Sequence, residues 1–186
     1  MKAKLFLLMV LSTFLFLGCS TDNQEDSFYD SSNSKLSEDN LVAKVVTRPF
    51  KVKGSGTFSF VSFPFTEECG SYLQYLIEGQ GNATHLGKFT VTITYCTDFV
   101  DYHYLSGTQV AANGDELEFY SVGSGVDEQG QWTDYIYDGG TGRFTDAEGT
   151  LRLYGVFEPT DFDFSIDPPL PLAGVYSNHG SGTLTY

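Results

Sequence analysis

Four kinds of side chain in this sequence could do chemistry: one histidine in an alternating segment, a set of tyrosines, a pair of cysteines, and a cysteine near the N-terminus. His85 stands in Ala83-Thr84-His85-Leu86-Gly87-Lys88-Phe89-Thr90. If Gly87 shifts no register, His85 faces the same side as Phe89, Val91, Ile93 and Tyr95, because residues two apart in a strand share a face. An imidazole there would orient a ligand's carbonyl or hydroxyl, or carry a proton near neutral pH. Its structural alternative is a bond to a nearby backbone carbonyl. Tyr75, Tyr95 and Tyr135 would give an interior flat apolar walls with a hydroxyl at the edge, or would simply be core. Trp132, beside Gly130-Gln131, offers a stacking surface for a sugar at a barrel mouth, or plain packing. His103 and His179 fall in expected loops, solvated.

Cys69 precedes the strand-like Tyr72–Glu78, and Cys96 closes Lys88–Cys96. Gly79-Gln80-Gly81-Asn82 between them reads as a turn, so a hairpin folded there brings both cysteines to its open end. Pairing about that turn sets Leu73 opposite Thr92, apolar against polar; a one-residue bulge at Gly79, Gly81 or Gly87 would correct it. A disulfide is expected, with two buried free thiols as the alternative. No Cys-x-x-Cys or histidine cluster accompanies the pair, so no metal is expected.

Cys19 follows a basic tip (Lys2, Lys4), an apolar run from Leu5 to Leu17, and Gly18. A membrane span needs roughly 20 apolar residues, and this run stops short before the polar, acidic Ser20–Asp26. The order reads as a lipoprotein signal, residues 1–18, cleaved before Cys19; ordinary secretion with a chance cysteine is the alternative. Cys19 would carry diacylglycerol on its sulfur and a further chain, such as palmitate, on its amine. Several chains anchor where one is marginal, since each buried CH₂ contributes about 0.8 kcal/mol. The expected location is the bacterial cell envelope, the outer membrane above all, with the domain outside the cytoplasm. The oxidising side of a membrane also permits the Cys69–Cys96 bridge.

The formal charge of −14 becomes −16 once Lys2 and Lys4 leave with the signal. So acidic a chain is repelled by nucleic acid and anionic headgroups, which excludes both as direct partners. The bilayer is then a partner through Cys19 alone. Residues 19–43 are polar and acidic and cannot bury enough surface to offset ordering, so they read as a disordered tether. The folded domain is expected over residues 44–186.

Aromatic residues make up 16% of the chain, glycines are frequent, and no sustained 3.6-residue apolar period appears beyond the signal. That favours pleated sheet. Strand-like stretches recur at Thr57–Phe60, the hairpin above, Leu117–Tyr120 after Asn113-Gly114, Thr133–Tyr137, Leu151–Phe157 and Gly182–Tyr186. Gly54–Phe60 echoes Gly180–Tyr186, so first and last strands are expected to pair and close an all-β antiparallel barrel of about eight strands. Glu158, Asp161, Asp163 and Asp167 read as a solvated acidic loop, without the glycine-containing spacing of a calcium loop.

Gly139-Gly140-Thr141-Gly142-Arg143-Phe144-Thr145-Asp146-Ala147-Glu148-Gly149 is the most distinctive stretch. Its glycines permit positive φ and a tight exit from a strand, and Phe144 and Ala147 would share one side of a helical turn and plug the end of a core. The Gly139, Gly140, Gly142, Phe144, Gly149 pattern resembles the signature of allene oxide cyclase-like and dirigent barrels, of calycin type. The resemblance implies an eight-stranded barrel and, by analogy, an interior for an apolar or phenolic molecule. It carries no catalytic residue across, and none is assigned.

No Gly-x-Ser-x-Gly elbow, His-Glu-x-x-His or phosphate loop is present, and no cofactor is expected. The expected function is a membrane-tethered lipoprotein whose barrel binds a small apolar or aromatic molecule. An isomerase or cyclase using His85 and a tyrosine as proton carriers, and a ligand-free structural or interaction module, remain as alternatives.

Overall fold

The computed structural model describes residues 46–62 and 69–186; the signal, Cys19 and the 19–43 tether lie outside the described residues. Within them the chain forms eight antiparallel strands: β1 (Thr47–Ser62), β2 (Leu73–Ala83), β3 (Gly87–Thr97), β4 (Tyr102–Ala111), β5 (Glu116–Asp127), β6 (Gly130–Gly140), β7 (Glu148–Asp163) and β8 (Leu170–Thr185). Each strand pairs with its sequence neighbours and β8 returns to β1, closing the barrel. Closure removes the exposed edges that an open sheet would leave, and the expected fold class is the observed one.

Alternation decides which side chains enter. Phe50, Val52 and Phe58 of β1, Tyr75 and Ile77 of β2, and Phe89, Val91, Ile93 and Tyr95 of β3 are buried, while the residues between them in β1 and β3 are largely exposed. Eight strands enclose just enough room for side chains, and here rings fill most of it.

The β2–β3 hairpin differs from its sequence reading. Leu73 pairs with Thr97, Tyr75 with Tyr95 and Ile77 with Ile93, without a bulge. The turn is Thr84-His85-Leu86, where His85 (φ +75°) and Gly87 (φ +72°) take the left-handed conformation. Gly79–Asn82 lie inside β2. Gly79 and Gly81 are there for close approach: a β-carbon on the first would collide with the Tyr176 hydroxyl, and on the second with the Phe89 ring. Cys69 and Cys96 nevertheless meet at the open end of the hairpin and form a disulfide, their α-carbons 5.4 Å apart.

Other local readings also shift. His103 lies on β4 and His179 on β8, not in loops. Glu158, Asp161 and Asp163 belong to β7, paired with Val175, Ala173 and Leu170 of β8, so the acidic loop begins later than expected.

The two ends of the barrel are unlike. At one, after β6, Gly139, Gly140 and Gly142 all have positive φ, and a single 3₁₀ turn, Gly142–Phe144, folds back over the opening. The Ala147 N–H bonds the Phe144 carbonyl and the Gly139 N–H bonds the Ala147 carbonyl, at 3.0 and 2.7 Å. Phe144 drops into the end of the core with Phe50, Leu117 and Leu184, all four fully buried. Tyr186 packs edge-on against it, ring centroids 5.3 Å apart. Gly149 follows on β7, where a β-carbon would strike the Thr183 carbonyl. At the other end the wall parts, because β4 and β5 pair only over Ser106–Val110 and Glu116–Tyr120.

Candidate functional site

The parted end is the mouth of the barrel. It holds a pocket of about 210 Å³ walled by Phe58, Tyr75, Tyr95, Phe99, Tyr102 and Phe157, with Thr97, Asp101 and Gln131 as its polar members. Tyr75 and Tyr95 are direct cross-strand partners, stacked with centroids 5.4 Å apart, and Tyr102 meets Tyr95 edge-on at 5.3 Å. Such pairs hold one another's orientation and so keep the wall in shape.

Hydrogen bonds fix the rim. Tyr75 donates its hydroxyl to the Pro171 carbonyl at 2.7 Å. The Thr97 hydroxyl donates to the Asp101 carbonyl and accepts the Phe99 N–H, both at 2.9 Å. Asp98 accepts the N–H groups of Val100 and Asp101, which, with His103 beside it, hold its carboxyl below the usual range. This knot sets Phe99, at φ +69°, on the lip of the pocket. The Gln131 amide donates to the Tyr102 hydroxyl at 2.8 Å and joins β6 to β4 inside the mouth.

Below the mouth the lumen is nearly full. Among the described residues, voids of about 30 and about 20 Å³ lie there. Tyr95, Tyr102, Gln131 and Phe157 line both the mouth pocket and the larger void. The Tyr176 hydroxyl and Asn178 Oδ1, which line both voids, are buried without a hydrogen-bond partner among the described residues. Each void has room for about one water. Burial pushes the phenols of Tyr75 and Tyr176 up to about 12 and raises those of Tyr95, Tyr102 and Tyr135 as well. These hydroxyls stay neutral at physiological pH: they donate and accept hydrogen bonds but do not exchange protons readily there.

The residues singled out from the sequence divide. Tyr75 and Tyr95 come together in the mouth, and Tyr135 lines the voids beneath. His85 does not join them. It sits in the β2–β3 turn at the plugged end, where its Nε2–H donates to the Pro49 carbonyl at 3.2 Å. An imidazole and a pocket tyrosine therefore do not share a cavity, as the isomerase alternative required. Trp132 points outward from β6: the Arg152 guanidinium lies 4.1 Å over its ring and Gly125 packs against its indole, so its surface is already used. Phe58, Phe99, Tyr102, Phe157 and Gln131 are pocket residues the sequence reading passed over. Phe58 and Phe157 were visible as strand aromatics, but Phe99 and Tyr102 sit beside a loop knot that only the Thr97 and Asp98 hydrogen bonds reveal. Among the described residues no three His, Cys, Asp or Glu side chains cluster to hold a metal.

No family model and no curated protein matches the chain. Among solved structures it is similar to a pterocarpan synthase dirigent protein, 12% identical, with 76% of this chain and 86% of that one covered and a TM-score of 0.47. The likeness is one of barrel architecture, and no residue role passes across it.

Proposed function

We propose that this protein holds a small apolar or aromatic molecule in the mouth of its barrel, and that acylated Cys19 keeps the barrel at a membrane of the bacterial envelope. The observation that carries the binding reading is the ring-walled pocket of about 210 Å³. A dry apolar cavity of about 150 Å³ is enough for benzene, so the ligand is a single ring or a compact apolar body with a short substituent. Asp98, Asp101, Asp127, Glu128 and Asp167 stand on the loops and strand ends at this mouth, and no described Lys or Arg does. A neutral or cationic ligand suits that rim; an anionic one is repelled. The phenols, raised beyond neutrality, favour holding over proton transfer.

Toluene titrated into the protein and followed by amide NMR tests the pocket. Shifts are expected at Thr97, Phe99, Tyr102 and Gln131, with His85 and Phe144 at the plugged end unmoved. No shift at the mouth at saturating toluene removes the binding reading. The anchor is tested separately: Cys19→Ala should release the protein from membranes, and unchanged membrane fractionation removes the tether.

A further inference from the structure

A second concavity, on the outer wall, has the opposite character from the mouth. It is a groove of about 1020 Å³ crossing β7, β8, β1, β2 and the start of β3, with Gln129 of the β5–β6 turn at one end. Register explains its shape. One outward row runs Lys88, Asn82, Lys53, His179, Tyr154, each paired with the next across adjacent strands. A second runs Gln80, Ser55, Ser177, Val156 in the same way. Between them the floor is the backbone of Gly81, Gly54, Asn178 and Gly155, whose side-chain positions face the lumen. Strands about 4.8 Å apart make a five-strand row about 19 Å long, and rows two residues apart lie about 7 Å from one another. That is a trough for an extended chain, not a socket for a compact molecule.

Its chemistry departs from the rest of the molecule. The sequence holds 24 Asp and Glu against 10 Lys and Arg, yet no carboxylate lines the groove, while Lys53, Lys88 and His179 do. The described ion pairs use His103, Arg143 and Arg152, which leaves both lysines unpaired among the described residues. Amides of Gln80, Asn82 and Gln129 and hydroxyls of Ser55 and Ser177 stand along the walls. Tyr154 and His179 stack near-parallel, centroids 5.9 Å apart, and offer flat faces for the C–H surface of a sugar. One carboxylate touches this wall from outside the groove, Asp127, which accepts the Tyr154 hydroxyl at 3.1 Å.

We propose that this groove binds an acidic oligosaccharide, its hydroxyls on the amide and serine walls and its carboxylates on Lys53 and Lys88. The overall negative charge opposes any polyanion, nucleic acid included, so the preference for a sugar rests on the amide and hydroxyl walls, which match a polyol. The groove shares Gln131 with the mouth pocket, but the proposal does not depend on the mouth binding anything.

Calorimetric titration of the mature chain with tetragalacturonate, neutral chitotetraose and a short oligothymidylate tests it. The uronate should bind, weaken as salt rises, and exceed the neutral tetramer by about tenfold or more. Lys53→Gln with Lys88→Gln should erase that preference. Ser177→Trp, on the exposed wall, should abolish binding while toluene still perturbs the mouth. Equal binding of uronate and chitotetraose, oligothymidylate binding as tight as the uronate, no binding of either sugar at millimolar concentration, or affinity indifferent to the variants would each overturn the proposal.

Discussion

The plugged end and the mouth are built from the same eight strands and finish in opposite ways. At the plug, Phe50, Leu117, Phe144 and Leu184 are fully buried and leave no space. At the mouth, rings of comparable size stand around about 210 Å³, with Phe99 55% and Val100 84% exposed on the lip. The plug has a glycine-bent turn that returns to the core; the mouth has a loop knotted on itself by Thr97 and Asp98. The difference teaches that a barrel of this size is filled by default and hollow only where a loop is held off the axis. Packing is complete at one end and open at the other.

High pH should strain this division most. The phenols of Tyr75, Tyr95, Tyr135, Tyr137 and Tyr176 are all raised, first of all by burial. Four of them are in the mouth and the middle, and Tyr137 packs edge-on against Phe50 of the plug, ring centroids 5.3 Å apart. With folded pKa values above the unfolded value, their stabilisation is complete below about pH 10 and is lost as pH climbs through the folded values. Ionisation of these five rings, followed residue by residue by NMR, should therefore coincide with the loss of far-UV circular dichroism, late and cooperatively. Any of the five that ionises near pH 10 in a barrel still folded would contradict its burial.

Phe144→Ala should cost about 3–5 kcal/mol in denaturant unfolding, as full truncation of a buried ring does, while Phe99→Ala at the mouth should stay within about 0.5 kcal/mol. Equal costs at the two ends would dissolve the contrast. The disulfide is the mouth's own strong constraint. It spans 27 residues, and Cys69→Ala with Cys96→Ala should cost about 3.5 kcal/mol on the loop-entropy account; a negligible loss would mean that the mouth needs no covalent support. Below the disulfide comes Thr97→Val, about 1 kcal/mol for the two bonds to the lip. Its sharper readout is toluene affinity, which should fall as Phe99 loses its place, and unchanged affinity would take the lip out of the site.

Much of the fold was legible because it depends on local pattern. Alternating apolar residues marked parts of seven of the strands, the Gly54–Phe60 and Gly180–Tyr186 echo pointed to the pairing of β1 with β8, and the 139–149 glycines marked the plug. β4 was missed, since Tyr102–Ala111 alternates poorly and opens at a left-handed Tyr104. The hairpin turn was misplaced because Gly79 and Gly81 read as turn formers, whereas their lack of a side chain admits Tyr176 and Phe89. His85 was drawn into the interior by its even spacing from Phe89; the turn it occupies breaks the alternation.

Composition and order alone determined the pleated class and the acidic character, because period-two burial and net charge are properties of the chain itself; they suggested the Cys69–Cys96 bridge but left free thiols open, and the structure joined the pair. Where space remains inside, which rings face it, and how a glycine floor gathers two lysines into a carboxylate-free trough were decided only by the closed sheet. Those features join residues from strands far apart in sequence, and the shear of the barrel, not their spacing, sets who stands beside whom.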